Sequence, residues 1–349
     1  MSSASIKQVA RIAGVSIATV SRFMNSPEKV SEKTREKVQA AIAQTGYTPN
    51  TLAQSFRRGR TNIVMVVLPS IGDPFFTGVM RGIRRTAAER GYSILINETQ
   101  FNTMTADEIA AMVVSRQTDG IILLASMSPF GNEVLSAKSH RALPIVVGCE
   151  TVAPELAAYP SVHVDNVAAA SEATAYLIAQ GHRRIGMIGG STSSLLTRDR
   201  EAGYRQAMAQ AGLEVASGWM VNGDLSIDGA ISATRRLLAL TPRPTAVFCT
   251  TDEMAIGCLH AARSAGLSIP QDLSLMGFDD TRYARVMSPP LTTVSQPAQE
   301  IGEQVMATLC AEIERGRPAA ASEDAENRSV IVPHQLVLRE SVAPPADQV

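Results

Sequence analysis

Cysteine and histidine are sparse in this sequence, and their placement excludes several chemistries. The four cysteines, Cys149, Cys249, Cys258 and Cys310, are scattered, with no close pair and no Cys/His cluster at zinc spacing. They are therefore expected to be buried, reduced thiols rather than a metal or redox site. Only five histidines occur, and His182 lies in Gly-His-Arg-Arg at the end of a helical pattern, where a capping role is expected. There is no Gly-x-Ser-x-Gly and no P-loop, so neither of two common enzyme plans is present, and no catalytic residue, cofactor or metal is expected. No apolar run approaches the roughly 20 residues that span a bilayer, which argues against a membrane partner. No basic-then-apolar segment with a small-residue cleavage site opens the chain, so a cytoplasmic location is expected.

What is present is size and a divided charge. The 349 residues are 45% apolar and carry a net charge of only -1. Residues 1 to 60 hold ten Lys/Arg against three Asp/Glu, or +7, leaving 22 against 30, or -8, for the remainder. A basic head on an acidic body suits a nucleic-acid-binding segment, though a basic solvated tail would give the same balance.

Within that head, Ile6 to Ala13 reads as a helix, Gly14 as a turn, and Ser16 as the cap of a second helix from Ile17 to about Asn25. Helical spacing puts Val20, Phe23 and Met24 on one face and Ile17, Ala18, Ser21 and Arg22 on the other. A third helix starts near Ser31, carries Val38, Ala41 and Ile42 inward, and ends at Gly46-Tyr47. Three short helices with an outward arginine predict a helix-turn-helix domain over residues 1–48. Arg22 is the candidate base reader, because a guanidinium fork matches the two acceptors of guanine in the major groove. Ile17 and Ala18 offer apolar contact, as to a thymine methyl. Ser16, Thr19, Ser21 and Asn25 complete the candidate set on this helix, with phosphate contacts expected from hydroxyl and basic side chains and helix N-termini. A small helical bundle without a DNA role is the alternative.

Residues 49–60, Pro49-Asn-Thr-Leu-Ala-Gln-Ser-Phe-Arg-Arg-Gly-Arg60, read as a capped helical stretch of about two turns, expected to form only when docked. Ile6-Lys-Gln-Val-Ala, Ala13-Gly-Val-Ser, Ala18-Thr-Val-Ser-Arg22, Gly46-Tyr-x-Pro-Asn50 and Ala53 together resemble the head and hinge of the lactose-repressor (LacI) family. The resemblance implies paired hinge helices in the minor groove, each inserting an apolar wedge that kinks the duplex. Asn50, Ala53, Phe56 and Arg57 are the hinge positions this assigns to DNA. The family's usual leucine wedge is replaced here by Phe56, a competent wedge that would alter the kink; packing of Phe56 on the body is the alternative.

From Arg60 onward, short apolar runs alternate with helical patterns. Ile63–Leu68, Ser93–Asn97, Gly120–Ala125, Ile145–Gly148, Ile185–Gly189, Ala246–Cys249 and Leu273–Gly277 read as buried parallel strands, with helices at Phe76–Arg90, Val167–Gln180, Arg200–Ala211 and Glu253–Ala265 between them. Strict alternation predicts an α/β class with parallel doubly wound sheets, and roughly 280 residues favours two lobes over one sheet. Ligands in such sheets bind beyond the carboxyl ends of the strands. The residues there are Asp73, Phe75, Phe76, Cys149, Glu150, Arg198, Arg200, Thr251, Asp252, Asp279 and Asp280. Carboxylates and arginines bond hydroxyls while phenylalanine stacks on a ring, which fits a polyhydroxylated ligand bearing a planar group. Any one of these residues could equally be a helix cap or half of a lobe-to-lobe ion pair.

The family resemblance extends over this body through Asp73-Pro-Phe-Phe, Val164-Asp-Asn166, Gly181-His-Arg-Arg-Ile-Gly186, Arg200-x-x-Gly-Tyr204, Asp252-Glu-Met-Ala-Ile-Gly257, Gly277-Phe-Asp-Asp280 and Pro290-Leu-Thr-Thr293. It implies a two-lobed core over 61–340, like a type I periplasmic sugar-binding protein, with dimerisation along the lobes. It also implies that Arg200 and Asp279 hold the effector, with Phe75 and Phe76 packed on it. Asp73, Glu150, Thr251 and Asp252 complete the candidate effector set. Pro74-Phe-Phe, Ala153-Pro-Glu-Leu156, Val162-His-Val-Asp165 and Pro289-Pro-Leu-Thr292 resemble the cytidine-regulator branch and, more distantly, the purine repressor. That points to a nucleoside or nucleobase, with a sugar or sugar acid as the alternative. Leu195, Leu196 and Leu225 stand where the purine repressor has polar or aromatic contacts.

The expected function is that of a sequence-specific DNA-binding regulator, a repressor by preference, whose affinity for a near-palindromic operator is set by a small molecule. Two identical heads on such a site imply a homodimer. No leucine-heptad tail follows Val332, and Ser341–Val349 reads as a loose end, so no tetramer built on a C-terminal helical bundle is expected. A periplasmic binding protein would share the body but have no use for Arg22 or the hinge. An architectural DNA-binding protein would show a steep salt slope with little sequence preference.

Overall fold

The structure, a computed structural model, describes residues 5–47, 60–99, 117–124, 144–152, 156, 159–316 and 329–346. It divides into two compact units, Met1–Thr61 and Asn62–Val349.

In the first unit, α1 (Ile6–Ala13), α2 (Ile17–Asn25) and α3 (Glu32–Thr45) surround Val9, Ala10, Ala13, Val20, Val38 and Ala41. Gly14 ends α1 at φ 65°, a left-handed cap that suits glycine, and its amide bonds back to the helix. Ser16 then opens α2 by accepting from the Thr19 amide at 3.0 Å. Ser31 occupies the cap position of α3, but its hydroxyl pairs with that of Thr34 at 2.9 Å instead of an amide.

The second unit contains two six-stranded sheets. The N-terminal lobe holds β1 (Ile63–Leu68), β2 (Ser93–Glu98), β3 (Gly120–Leu123), β4 (Ile145–Gly148), β5 (Ser161–His163) and, from the far end of the chain, β11 (Val330–Ile331), all parallel. The C-terminal lobe holds β6 (Ile185–Gly189), β7 (Met220–Asn222), β8 (Ala246–Cys249), β9 (Ser274–Asp279), β10 (Thr292–Ser295) and β12 (Gln335–Val337), parallel except for β12 on the edge. The doubly wound α/β reading is therefore met, with one antiparallel edge strand added.

Each sheet has a hydrophobic cluster on either face. Val64, Val66 and Leu68 point to one side of β1, while Met65 and Val67 point to the other. This alternation with both faces covered is why the strands read as unbroken apolar runs. Helices α4 (Pro74–Glu89) and α9 (Ala298–Arg315) pack on the N-terminal sheet and meet at glycines. A Cβ on Gly82 would come within 2.0 Å of the Gln299 carbonyl oxygen, and one on Gly302 within 2.0 Å of the Val79 oxygen. In the C-terminal lobe, α5 (Asn166–Ala179) packs against α6 (Leu195–Gln210), and α7 (Ile227–Leu238) against α8 (Asp252–Ser264).

Among the described residues the chain passes between the lobes three times: from β5 into α5, from β10 into α9, and from β11 into β12. The first and third passages touch, since the Val332 amide donates to the His163 carbonyl at 2.9 Å.

Two sequence expectations are corrected here, and a third is met in an altered form. Helix α6 begins at Leu195, not Arg200, because Ser194 caps it through the Thr197 amide, and Arg200 therefore stands in its second turn. His182 does help to cap the end of α5, but through its backbone amide, which donates to the Leu177 carbonyl at 3.2 Å; its ring is buried, with Nδ1 on the Thr245 hydroxyl at 2.9 Å and Nε2 on the Ala343 carbonyl at 3.0 Å. The same contacts overturn the loose tail as far as Ala343. Buried Ser341 donates to the Leu275 carbonyl and accepts from the Thr292 amide, and the Ala343 amide donates to Ser274.

Candidate functional site

On the head, α2 separates its two faces. Val20 is fully buried and Phe23 and Met24 pack beside it, while Ile17, Ala18 and Arg22 are exposed. Ile17 is 45% exposed in a three-helix unit short of apolar residues, so it is available to a partner rather than to the core. The helix presents its N-terminal turn, the Ser16 and Thr19 hydroxyls bonded to one another at 2.8 Å, and Arg22 further along. That combination of donors, apolar contact and guanidinium can serve phosphate and base edge together. Ser21 is half-buried on the same helix. Asn25 closes α2. Asn50, Ala53, Phe56 and Arg57 lie outside the described residues.

The second site is built where strands of both lobes end. Arg200 is buried, and its guanidinium stacks 3.5 Å from the centre of the Phe278 ring. Its Nε donates to Asn166 Oδ1 at 2.9 Å, one terminal nitrogen donates to the Thr250 carbonyl, and that nitrogen lies 3.7 Å from Asp279 Oδ1. Asp279 in turn accepts from Gln296 Nε2 at 2.7 Å. Its backbone takes φ 112°, a region costly for any residue but glycine, as does Cys149 at 74°. Unusual backbone at two strand ends facing one cleft marks a place whose geometry is set by more than local preference.

From the N-terminal lobe come Asp73, Phe75 and Phe76 at the start of α4. Asp73 caps that helix, accepting from the Phe75 amide at 2.8 Å. The two rings meet edge to face, with centroids 5.3 Å apart and planes at 69°. Glu150 is buried after β4, within electrostatic reach of Arg200. Beside it Thr151 donates to Asp199 Oδ2 at 2.6 Å, a hydrogen bond between the lobes. A cavity of about 140 Å³ opens between α4 and the C-terminal lobe, with Phe75 on one wall and Asp279, Thr281 and Gln296 opposite, and Arg81 and Arg282 also lining it.

Acidic groups outnumber bases here, and burial decides their behaviour. Burial drives the Asp279 carboxyl well above the usual range against the pull of Arg200. The guanidinium keeps its proton under ordinary conditions, so the pair titrates at the carboxyl. Asp73 is raised by burial, with its hydrogen bond to Phe75 and the charge of Arg200 opposing, and Glu253 is raised by burial and by the nearby Asp73.

Two of the sequence candidates have other work in this structure. Thr251 is the N-cap of α8, accepting from the Met254 amide at 3.1 Å. Asp252 is fully buried and committed on both oxygens, to the Thr281 amide at 2.6 Å and the Thr293 hydroxyl at 2.7 Å. In this arrangement both act as supports, with the two oxygens of Asp252 engaged inside the C-terminal lobe. Asp73, Phe75, Phe76, Glu150, Arg200 and Asp279 gather at the lobe junction. Asn166 and Gln296 were missed. Asn166 stood in a quoted motif with no role, and Gln296 carries no signal beyond a polar residue directly after an apolar strand.

Among the described residues no group of three or more His, Cys, Asp or Glu could hold a metal ion, and no helix is long and apolar enough to cross a membrane.

Comparison with known proteins brings both sites together. Residues 5–50 match the family model for bacterial regulatory proteins of the lacI family, and residues 174–342 match a periplasmic binding protein-like domain. The chain is 40% identical over 306 residues to the HTH-type transcriptional repressor CytR of Escherichia coli (strain K12), covering 88% of this chain and 89% of the relative. It is 34% identical over 340 residues to the ribose operon repressor of Haemophilus influenzae, covering 97% and 98%. Among solved structures, the lac repressor dimer bound to operator and the anti-inducer ONPF aligns with a TM-score of 0.83 at 25% identity, covering 98% of this chain and all of that one. A CelR–cellobiose complex aligns with a TM-score of 0.72 at 29% identity, over 97% and 99%.

Proposed function

The chain belongs to the lacI family of bacterial regulatory proteins, and from that premise we propose that the effector it senses is a nucleoside. It is a DNA-binding transcriptional regulator, not an enzyme, with an effector-binding body, and it acts as a dimer on operator DNA.

The observation that carries the nucleoside reading is the pairing of an aromatic wall with a buried charged pair at one lobe junction. Phe75 and Phe76 stand on the N-terminal side, Arg200 and Asp279 on the other. A planar base stacks on the ring, and a sugar's hydroxyls bond the carboxylate and guanidinium. The ribose operon repressor among the relatives supports the sugar half of such a ligand. In this reading Asp73, Glu150, Phe75, Phe76, Arg200 and Asp279 line the site, and Thr251 and Asp252 hold its floor. A free sugar or sugar acid is the second reading, favoured by the excess of acceptors over rings.

On the head, Arg22 reads a base edge, Ile17 and Ala18 give apolar contact, and Ser16, Thr19, Ser21 and Asn25 contact the backbone of the duplex. Asn50, Ala53, Phe56 and Arg57 extend those contacts, with Phe56 as the wedge. Effector binding shifts the lobes between two arrangements and so changes operator affinity; the sign follows from which arrangement the ligand prefers. Such a protein works in the cytoplasm, where its operator lies.

The test is a thermal-shift panel of cytidine, adenosine, hypoxanthine, ribose and gluconate on the full chain and on Asp279→Ala. At a hundred times its Kd a ligand adds about 2.7 kcal/mol of stability. Stabilisation by a nucleoside, lost in the variant, is expected. Stabilisation by ribose or gluconate alone would replace the nucleoside with a sugar.

A further inference from the structure

The two charged residues at the lobe junction are each tied to an amide side chain on a segment that joins the lobes. Asn166 is the first residue of α5, immediately after the passage out of β5, and is 1% exposed. Its Oδ1 accepts from Arg200 Nε at 2.9 Å, and its Nδ2 donates to the Val164 carbonyl at 3.4 Å, within the passage itself. Gln296 lies in the passage from β10 to α9, is 4% exposed, and donates to Asp279 Oδ1 at 2.7 Å.

Gln296 has a second property. Its Oε1 is buried without a hydrogen-bond partner while the same residue lines the cavity between the lobes. A buried acceptor left unmade is unusual in a settled interior, and another arrangement of the lobes can supply the donor. The third passage is joined to the first by the bond from Val332 to His163, and its His334 pairs with Glu172 of α5 at 3.0 Å. The passages are thus bonded to one another or to the charged pair. Rotation between lobes must be absorbed at a few such connecting residues.

We propose that Asn166 and Gln296 are positioning residues that carry occupancy of the Arg200–Asp279 pair into the passages between the lobes, and so set the coupling between effector and operator. The proposal rests on the reading that Arg200 and Asp279 hold the effector. A ligand that takes hydrogen bonds from Arg200 or Asp279 must compete with, or reorient, the amides bonded to them. Each amide then moves a backbone segment about which the lobes turn.

The experiment uses the full chain and the variants Asn166→Ala, Gln296→Ala, Gln296→Asn and Asp279→Ala, with cytidine as probe and an operator duplex selected on the wild type. Operator Kd is measured without and with saturating cytidine, and cytidine Kd separately. Each at its own saturating cytidine concentration, Gln296→Ala and Asn166→Ala are expected to lose about tenfold of the ratio between the two operator constants, within the range typical of such couplings and whatever their cytidine Kd. Gln296→Asn should recover part of it. An unchanged ratio in both alanine variants overturns the proposal, whereas unchanged cytidine affinity in Asp279→Ala overturns the site reading instead.

If cytidine leaves the wild-type operator constant unmoved, hydrogen exchange without ligand decides. Arg200→Ala should speed exchange in residues 163–168 and Asp279→Ala in residues 295–300, by about tenfold, as a local opening of those segments. Faster exchange confined to the neighbours of residues 200 and 279 along the chain overturns the proposal.

Discussion

Arg200 and Asp279 form a buried ion pair, 3.7 Å apart, whose members come from different elements of the C-terminal lobe, and Asp279 shares a cavity with Phe75 of the N-terminal lobe. Each is held by further bonds, Arg200 to Asn166 and Thr250 and Asp279 to Gln296, so neither is free to adapt its position cheaply. Breaking a buried pair strands the remaining charge. Arg200→Ala and Asp279→Ala are therefore expected to lower unfolding stability by about 3 to 5 kcal/mol in urea titrations. Asp279→Asn, which keeps the shape and the bond from Gln296, should cost less. Equal losses in Asp279→Ala and Asp279→Asn would show that the charge alone matters and that the shape and the bond from Gln296 contribute nothing.

Arg22 is exposed on the free face of α2. Arg22→Ala is expected to relax preference at one base position per half-site by about 1 to 3 kcal/mol while leaving the other positions unchanged. Competition binding against single-base operator variants measures it. Equal weakening on every sequence would assign Arg22 to phosphate.

Phe56 carries the wedge role by resemblance. Phe56→Ala should weaken operator affinity and reduce the bend of the duplex, read by circular-permutation mobility, with effector affinity intact. Unchanged operator affinity would return Phe56 to ordinary packing.

Burial pushes the Asp252 carboxyl up to about 7, against the lowering effect of its bonds from Thr293 and Thr281. Between the ordinary carboxylate value of 3.8 and about 7 the folded chain holds a proton that the unfolded chain has lost. Stability from this group is complete below 3.8 and falls away as pH rises to about 7. Asp252→Asn should flatten the fall of unfolding free energy between pH 3.8 and about 7. A slope identical to wild type would contradict the raised value.

The long central strands could be read from the sequence because both faces of each sheet are covered, which leaves unbroken apolar runs such as Ile63–Leu68. The strands Ser161–His163, Met220–Asn222, Val330–Ile331 and Gln335–Val337 could not. They are two or three residues long, all but Val330–Ile331 mix polar with apolar residues, and Val330–Ile331 finds its partner, Ser161–His163, far back along the chain. Charged residues at strand ends pointed to the cleft, yet residue type alone could not separate Asp279, which faces it, from Asp252, which turns inward to Thr281 and Thr293. Thr251 likewise has a cap's spacing as much as a ligand's. Asn166 and Gln296 acquire meaning only from the three passages between lobes, a property of topology rather than of local pattern.

The most direct test of effector-controlled, sequence-specific binding begins by selecting duplexes from a random library on the full chain. Operator Kd on the enriched sequence is then measured with and without a saturating nucleoside, for wild type and Asp279→Ala. The account predicts a near-palindromic motif and a change in Kd of about 5- to 150-fold with ligand, absent in the variant. An enriched pool without two-fold symmetry, or an operator constant that no bound ligand moves, would contradict it.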